Sequence, residues 1–171
     1  MDQITSRFVV IGSVLFSLVA ILWGAWEVNH MDNESYAAGY ESQMSQKILP
    51  YYKIGSSGNF SNISNATAIN GGLIPQAMLN GDGTTISGPW GGSRVTITST
   101  SGGTGYQSAW TGVEAKDCAT FARSQTPNGG IEVNGTFISV TSTGTDNGSA
   151  IANACAGNSG GTATVTFVYT T

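Results

Sequence analysis

The chain has 171 residues and few charges: only 9% of its residues are Asp, Glu, Lys or Arg, and the formal net charge is −4. Soluble domains usually carry about 25% charged residues. An acidic balance excludes a surface built to bind phosphates, so we expect no nucleic-acid partner. One histidine and two cysteines leave little for a catalytic triad or a zinc site. We therefore expect no enzyme, no catalytic residue, no cofactor and no metal.

The first predicted element is an apolar helix over residues 1–26, in which 8–26 is a run of 19 residues without a charge. Such a run spans roughly 28 Å as a helix, close to the ~30 Å hydrocarbon core of a bilayer. Arg7 precedes it and Glu27 follows it, which favours a membrane-spanning helix with its N-terminus inside. The alternatives are a cleaved secretory signal, which has a shorter apolar core, and a buried helix of a soluble domain.

Two glycines, Gly12 and Gly24, lie inside this apolar segment. Each weakens a helix by up to ~1 kcal/mol relative to alanine. Either each glycine allows close packing or is simply tolerated at a cost in helix stability, or it marks a place where the helix bends. The residues alone leave both interpretations open.

Residues 27–49 are predicted to continue the helix as an amphipathic half. Apolar side chains recur there at four-residue steps and predict the packed face: Tyr36, Tyr40, Met44 and Ile48. Glu41 is assigned to the opposite, polar side. Pro50 is predicted to end the helix, because proline lacks the amide donor and clashes with the preceding turn.

The remainder of the chain divides into a connecting region, 50–93, rich in Gly, Asn and Ser, and a sheet region, 94–171. Alternating apolar side chains predict strands at 94–100 and 162–170, and 106–110 is the expected hairpin partner of the first. Asn134 and Gly135 predict a tight turn between strands at 131–133 and 136–141. A short helix is predicted at 113–125. The fold class is therefore α+β: a long N-terminal helix packed on an antiparallel sheet.

The two cysteines, Cys118 and Cys155, both lie beyond the membrane segment, on the predicted outer side. An even number of cysteines in an oxidising compartment favours a disulfide, and two buried free thiols are the alternative. We predict a bond between them.

Three stretches resemble a known family: 72–78 (GLIPQAM), 86–97 (ISGPWGGSRVTI), and Cys155 followed by 162–169 (TATVTFVY). Together with the apolar helix and its amphipathic half, they resemble type IV pilins. The similarity points to the type IVb class, and most closely to the PilS-type major pilins of conjugative thin pili and related enteric colonisation pili.

The resemblance implies a subunit cleaved by a prepilin peptidase on the cytoplasmic side, with Met1 as the methylated first residue of the mature chain. Such pilins usually carry Glu at the fifth position, where this chain has Thr5. Either Asp2, the one acidic residue before Glu27, takes over the pairing with an N-terminal amine or with Arg7, or the mature chain starts elsewhere.

The expected function is that of a structural major pilin, which leaves the inner membrane through a pilus assembly machinery. Many copies then form an extracellular helical filament on a Gram-negative cell, used for conjugative contact or adhesion. Alternatives are a minor pilin or a type II secretion-like pseudopilin, and a solitary membrane-anchored binding domain.

Overall fold

The computed structural model describes residues 32–54, 57–140, 146–157 and 161–171. The predicted membrane-spanning segment lies outside these ranges, and no helix within them is both long and apolar enough to cross a membrane. The chain divides into two units, and the elements described below belong almost entirely to the second, Glu34–Thr171. This unit is α+β, as predicted, with helices packed on an antiparallel sheet and one disulfide.

Helix α1 (Asp32–Tyr52) buries part of the predicted face. Met44 and Ile48 are buried and Tyr40 is partly buried against the core, as predicted, but Tyr36 is 53% exposed. The row of buried side chains consists of Ala37, Glu41, Met44 and Ile48. The reason is geometric: four residues advance about 40° more than a full turn, so a strict four-residue row spirals away from a straight contact. The buried positions follow steps of four, three and four instead, which keep the row on one side.

The end of α1 also differs from the prediction, because the helix continues through Pro50 to Tyr52. A proline removes one amide donor from a helix but does not unwind it when other contacts hold the turn. The Tyr52 ring stacks on the buried Phe60 ring, with centroids 5.5 Å apart. This contact fixes the last turn beyond Leu49, where the sequence predicted the end.

The described residues form a main sheet of six strands: β3 (Ile86–Ser87), β4 (Arg94–Thr100), β5 (Gly105–Glu114), β6 (Gly130–Val133), β7 (Thr136–Ile138) and β8 (Thr162–Thr170). Every neighbouring pair is antiparallel, and the order across the sheet is β3–β4–β5–β8–β6–β7. A separate short pair joins β1 (Lys53–Ile54) to β2 (Ser57–Gly58). Strand β8 lies between β5 and β6, so the last strand of the chain occupies the middle of the sheet.

The predicted hairpin between β6 and β7 is present. Asn134 has φ 50° and Gly135 has φ 83°. Positive φ at both central residues is the geometry of the two-residue turn that Asn-Gly favours.

In the part of the chain that the structure describes, three short α-helices accompany the sheet: α2 (Asn65–Asn70), α3 (Ala115–Arg123) and α4 (Asn147–Ala156). Helix α3 was predicted to begin at Val113, but β5 passes a register shift after Trp110 and pairs Val113 with Ala163 of β8. Helix α2 was not predicted and begins with a reciprocal cap between Ser64 and Thr67.

Two asparagine side chains form hydrogen bonds to main-chain groups of a strand, as the peptide group of a neighbouring strand would. Asn65 donates its Nδ2 to the Val95 carbonyl (2.9 Å), and its Oδ1 accepts the Ile97 amide (2.7 Å) along β4. Asn128 makes the same two-point contact with the carbonyl and amide of Thr170 in β8. A carboxamide offers one donor and one acceptor like a peptide group, so each side chain continues the pairing of the sheet where no strand does.

Candidate functional site

The junction between α1 and the sheet centres on one buried carboxyl group, that of Glu41. Its side chain is fully buried. One oxygen accepts a hydrogen bond from the Ser108 hydroxyl and the other from the Trp110 indole N–H, each at 2.7 Å. Ser108 and Trp110 are two residues apart on β5 and therefore point to the same face. The carboxyl group thus ties the middle of α1 to the middle of the sheet.

Burial raises the pKa of Glu41 to about 7 from an ordinary value of 4.5, and the hydrogen bonds from Ser108 and Trp110 limit that rise. Tyr106 and Tyr169 stack beside this group with ring centroids 5.0 Å apart. Burial raises the pKa of both phenols, and the nearby carboxylate raises the two pKa values further. Both phenols therefore stay neutral, and Glu41 is the group of this cluster that titrates near neutral pH.

An aromatic cluster lies next to the junction and contains the Pro-Trp-Gly-Gly stretch singled out in the sequence. Trp90 packs edge-to-face on Trp110 (6.3 Å) and on Phe121 of α3 (5.2 Å). Its indole N–H donates to the Asp117 carboxylate at 2.8 Å. The stretch therefore holds α3 against the sheet, and its tryptophan is a core residue rather than a surface one.

The predicted disulfide is present and joins Cys118 of α3 to Cys155 of α4, with Cα atoms 5.9 Å apart. Helix α4 has a single large apolar side chain, Ile151, in the sequence NGSAIANACA. Its first turn is capped by the Asp146 carboxylate, which accepts the Ser149 amide at 3.0 Å. The cap and the disulfide thus hold a helix that apolar periodicity did not predict.

The other residues singled out from the sequence were Met1, Asp2, Arg7, Gly12 and Gly24. All five lie outside the described residues, and their roles in processing, charge pairing and bending stay predictions.

Sequence reasoning missed Glu41, which it placed on the polar side of the helix. A signal was available: Ala37, Met44 and Ile48 stand four residues before, three after and seven after Glu41. Such spacing surrounds a helical position with apolar neighbours on the same face. A carboxyl group there requires donors from the opposing element, which Ser108 and Trp110 supply.

The outward side of α1 carries an exposed aromatic ring and a glycine. Tyr36 is 53% exposed. The Tyr36 ring stacks on that of Tyr40, with centroids 6.3 Å apart. Gly39 is exposed between them in the sequence. The Gln125 amide, just after α3, donates to the Ala38 carbonyl of α1 at 2.9 Å. This hydrogen bond fixes the orientation of this part of α1.

A surface cleft of about 410 Å³ lies beside α3, lined by Glu34, Ala119, Thr120, Arg123 and Ser124. Burial, together with the nearby Asp117, raises the pKa of Glu34. Within the described part of the chain, no cluster of His, Cys, Asp and Glu side chains could hold a metal ion.

These features define a class of protein: an α+β domain whose long helix is fixed on one face to an antiparallel sheet and left open on the other. Over residues 39–170 the chain matches the model of the family described as PilS N terminal, and it belongs to that family. It is a PilS-type pilin, which makes it a subunit of a pilus, and the family is one of structural proteins. No curated protein and no solved structure matches the chain.

Proposed function

We propose that this chain is the major subunit of an extracellular type IV pilus of the type IVb class. In this proposal residues 1–26 form the apolar helix that anchors the unassembled subunit in the inner membrane and later packs in the filament core. The filament serves conjugative contact or adhesion. Family membership across 39–170 is the observation that carries the proposal.

The described domain supports this role through the way it holds α1. Glu41 fixes the inward face to the sheet, while the outward face remains uncovered by any described residue. An apolar helix out of lipid can be buried only among other apolar helices, so a domain that presents its helix in one orientation suits repeated packing. We infer that residues 1–26 drive assembly and that the domain 34–171 lies outside the filament core.

The proposal extends to the predicted N-terminal residues. Prepilin peptidase would expose the amine of Met1, and Asp2 would neutralise that amine or Arg7 in a core where an unpaired charge costs several kcal/mol. Gly12 and Gly24 would allow the apolar helix to bend or to pack closely during assembly.

The test is the filament itself. Cells that produce the full chain with its assembly machinery are sheared, and the released fraction is examined by electron microscopy and gel electrophoresis. We expect filaments in which this chain is the dominant protein. A variant lacking residues 8–26 is the control and should give none. Filaments containing only traces of the chain would make it a minor subunit, and a chain that stays with the cell would contradict the pilus role.

A further inference from the structure

Asparagine is followed directly by glycine at five places in the chain, and such a pair has a reactivity of its own. The glycine nitrogen can attack the asparagine Cγ, because glycine has no Cβ to hinder the approach. An N–Cγ bond forms, the Cγ–Nδ2 bond breaks, and ammonia leaves with the proton of the glycine amide. Water then opens the cyclic imide to aspartate or isoaspartate, and no other reactant is needed. The asparagines concerned are Asn70, Asn80, Asn128, Asn134 and Asn147.

The fold protects all of these pairs except one. Gly71 and Gly129 donate their amides to main-chain carbonyls at 3.0 and 2.9 Å, and the Gly148 amide donates to the carboxylate that caps α4. The Asn134 carboxamide is held at both ends by distant elements, at 2.9 Å by α4 and at 2.8 Å by β8. In each of these pairs a hydrogen bond must break before the nitrogen can reach Cγ.

The remaining pair, Asn80 and Gly81, lies in a loop whose residues 80–84 are all exposed. No described residue accepts a hydrogen bond from the Gly81 amide. Gly81 has a φ of 88°, and no atom lies within 4 Å of the position that a Cβ would take. The attacking nitrogen is therefore unbound and sterically open.

The Asn80 carboxamide is oriented by Asp82 of the same loop. Its Oδ1 accepts the Asp82 amide at 3.1 Å. This oxygen takes up negative charge when Cγ is attacked, and an N–H group directed at it stabilises that charge. Its Nδ2 donates to the Asp82 carboxylate at 3.1 Å. Because both contacts are made within one exposed loop, the carboxamide can turn toward the Gly81 nitrogen without disturbing a packed element.

We propose that Asn80 is a site of spontaneous deamidation in the folded chain, which reacts through the Gly81 nitrogen while the other four pairs stay intact. The product adds a negative charge beside Asp82 in a chain whose formal net charge is −4. The contact between residues 80 and 82 then changes from a hydrogen bond to a repulsion of like charges. The change stays local, because a bridge between Leu79 and Ile86 closes the base of the loop. The reaction requires no assembly and is independent of the proposed function.

The first experiment locates the loss of ammonia in the folded full chain. The chain is incubated in mild detergent at pH 8, digested at acidic pH to stop the reaction, and mapped by mass spectrometry with fragmentation that distinguishes aspartate from isoaspartate. We expect Asn80 to react at least about tenfold faster than each of the other four asparagines. In guanidinium chloride this selectivity should disappear, because every pair is then unprotected. Equal rates in the folded chain, or no reaction at Asn80, would overturn the proposal. A preference for Asn80 that persists in the denaturant would do the same, since the fold would not be its cause.

The second experiment identifies the attacking group with Gly81→Ala. Alanine places a Cβ beside the nitrogen and should slow the reaction at Asn80 at least about tenfold. The matched control is Gly83→Ala, because Gly83 lies in the same loop, has a φ of 72° and also has no atom within 4 Å of the Cβ position. Both substitutions strain the backbone at a positive φ, but only the first hinders the attacking nitrogen. A wild-type rate in Gly81→Ala, or an equal loss of rate in both variants, would refute attack by the Gly81 nitrogen.

Discussion

Replacing Glu41 with glutamine should remove most of the pH dependence of folding between pH 5 and pH 8. The pKa of Glu41 is about 7 in the folded chain against an ordinary value of 4.5. The folded state therefore holds a proton that the unfolded state has released across this range. For a carboxyl group with a raised pKa, the contribution to stability is full below pH 4.5 and is lost as the pH rises through 7.

The magnitude follows from the difference between the two pKa values. A shift of one pKa unit corresponds to about 1.4 kcal/mol, so the full effect on the free energy of unfolding is on the order of 3 kcal/mol. Most of it, about 2–3 kcal/mol, is lost between pH 5 and pH 8, with the wild-type chain more stable at pH 5. Asp146, whose pKa is lowered mainly by hydrogen bonds from Ser149, has the opposite slope at a more acidic pH and does not mask the effect.

Glu41→Gln places a carboxamide where the carboxyl group stands. Its Oε1 can accept the Trp110 indole N–H and its Nε2 can donate to the Ser108 hydroxyl, which accepts as well as donates. The variant should therefore be about as stable as the wild type at pH 5, where the wild-type carboxyl group is mostly protonated. At pH 8 it should be the more stable of the two, because only the wild type buries a charge there.

The assay is urea unfolding of the full chain in mild detergent, followed by tryptophan fluorescence at pH 5, 6, 7 and 8. Ser108→Ala is a control that removes one donor but keeps the carboxyl group, and it should retain a pH slope. Equal slopes for the wild type and Glu41→Gln, or a wild-type stability that rises from pH 5 to pH 8, would refute the reasoning.

Three further predictions concern the disulfide, the aromatic cluster and the N-terminus. Replacing Cys118 and Cys155 together with serine should lower the free energy of unfolding by about 4 kcal/mol, the value for freeing a loop of this length, and quantitative thiol labelling of unreduced wild-type protein would contradict the bond. Trp90→Phe removes the hydrogen bond to Asp117 and part of a buried ring, so urea unfolding should show a loss of roughly 2–3 kcal/mol, whereas a loss below about 0.5 kcal/mol would show that the contact is dispensable. Asp2→Asn should reduce the yield of sheared filaments if Asp2 pairs with an amine or with Arg7, and a wild-type yield would rule that pairing out.

The strands could be predicted where one face of the sheet is buried and the other is exposed to solvent. Strand β4 has Val95 and Ile97 on its buried face, with exposed neighbours. Strand β8 buries Ala163, Val165, Phe167 and Tyr169 at two-residue steps, and Thr166 between them is buried as well. Apolar residues at every second position indicate that one face of the strand packs on the core, since successive side chains point to opposite faces. Both strands have the bounds that the sequence predicted. The turn at Asn134 and Gly135 was equally local, because its backbone angles depend on those two residues.

The elements that the sequence did not predict depend on partners distant in the chain. Helix α4 consists mostly of small residues and is held by a bond to Cys118. Glu41 looked solvated because a carboxyl group is polar, and its burial depends on donors 67 and 69 residues further along. Pairwise matches of this kind cannot be recognised from one stretch of sequence, whatever its periodicity.

The proposed function requires a subunit that polymerises through its helix, and such a subunit also has to avoid polymerising in other ways. The borders of its sheet are suited to that. Exposed strand edges invite pairing with other copies and lead to lateral aggregation. Here both border strands are short, with two residues in β3 and three in β7. Next to β3, the Asn65 carboxamide occupies the free main-chain groups of Val95 and Ile97. The local concentration of subunits is high in a growing filament. The short border strands and the Asn65 contact would disfavour edge-to-edge pairing there. Subunits would then add through their helices, and neighbouring filaments would stay separate.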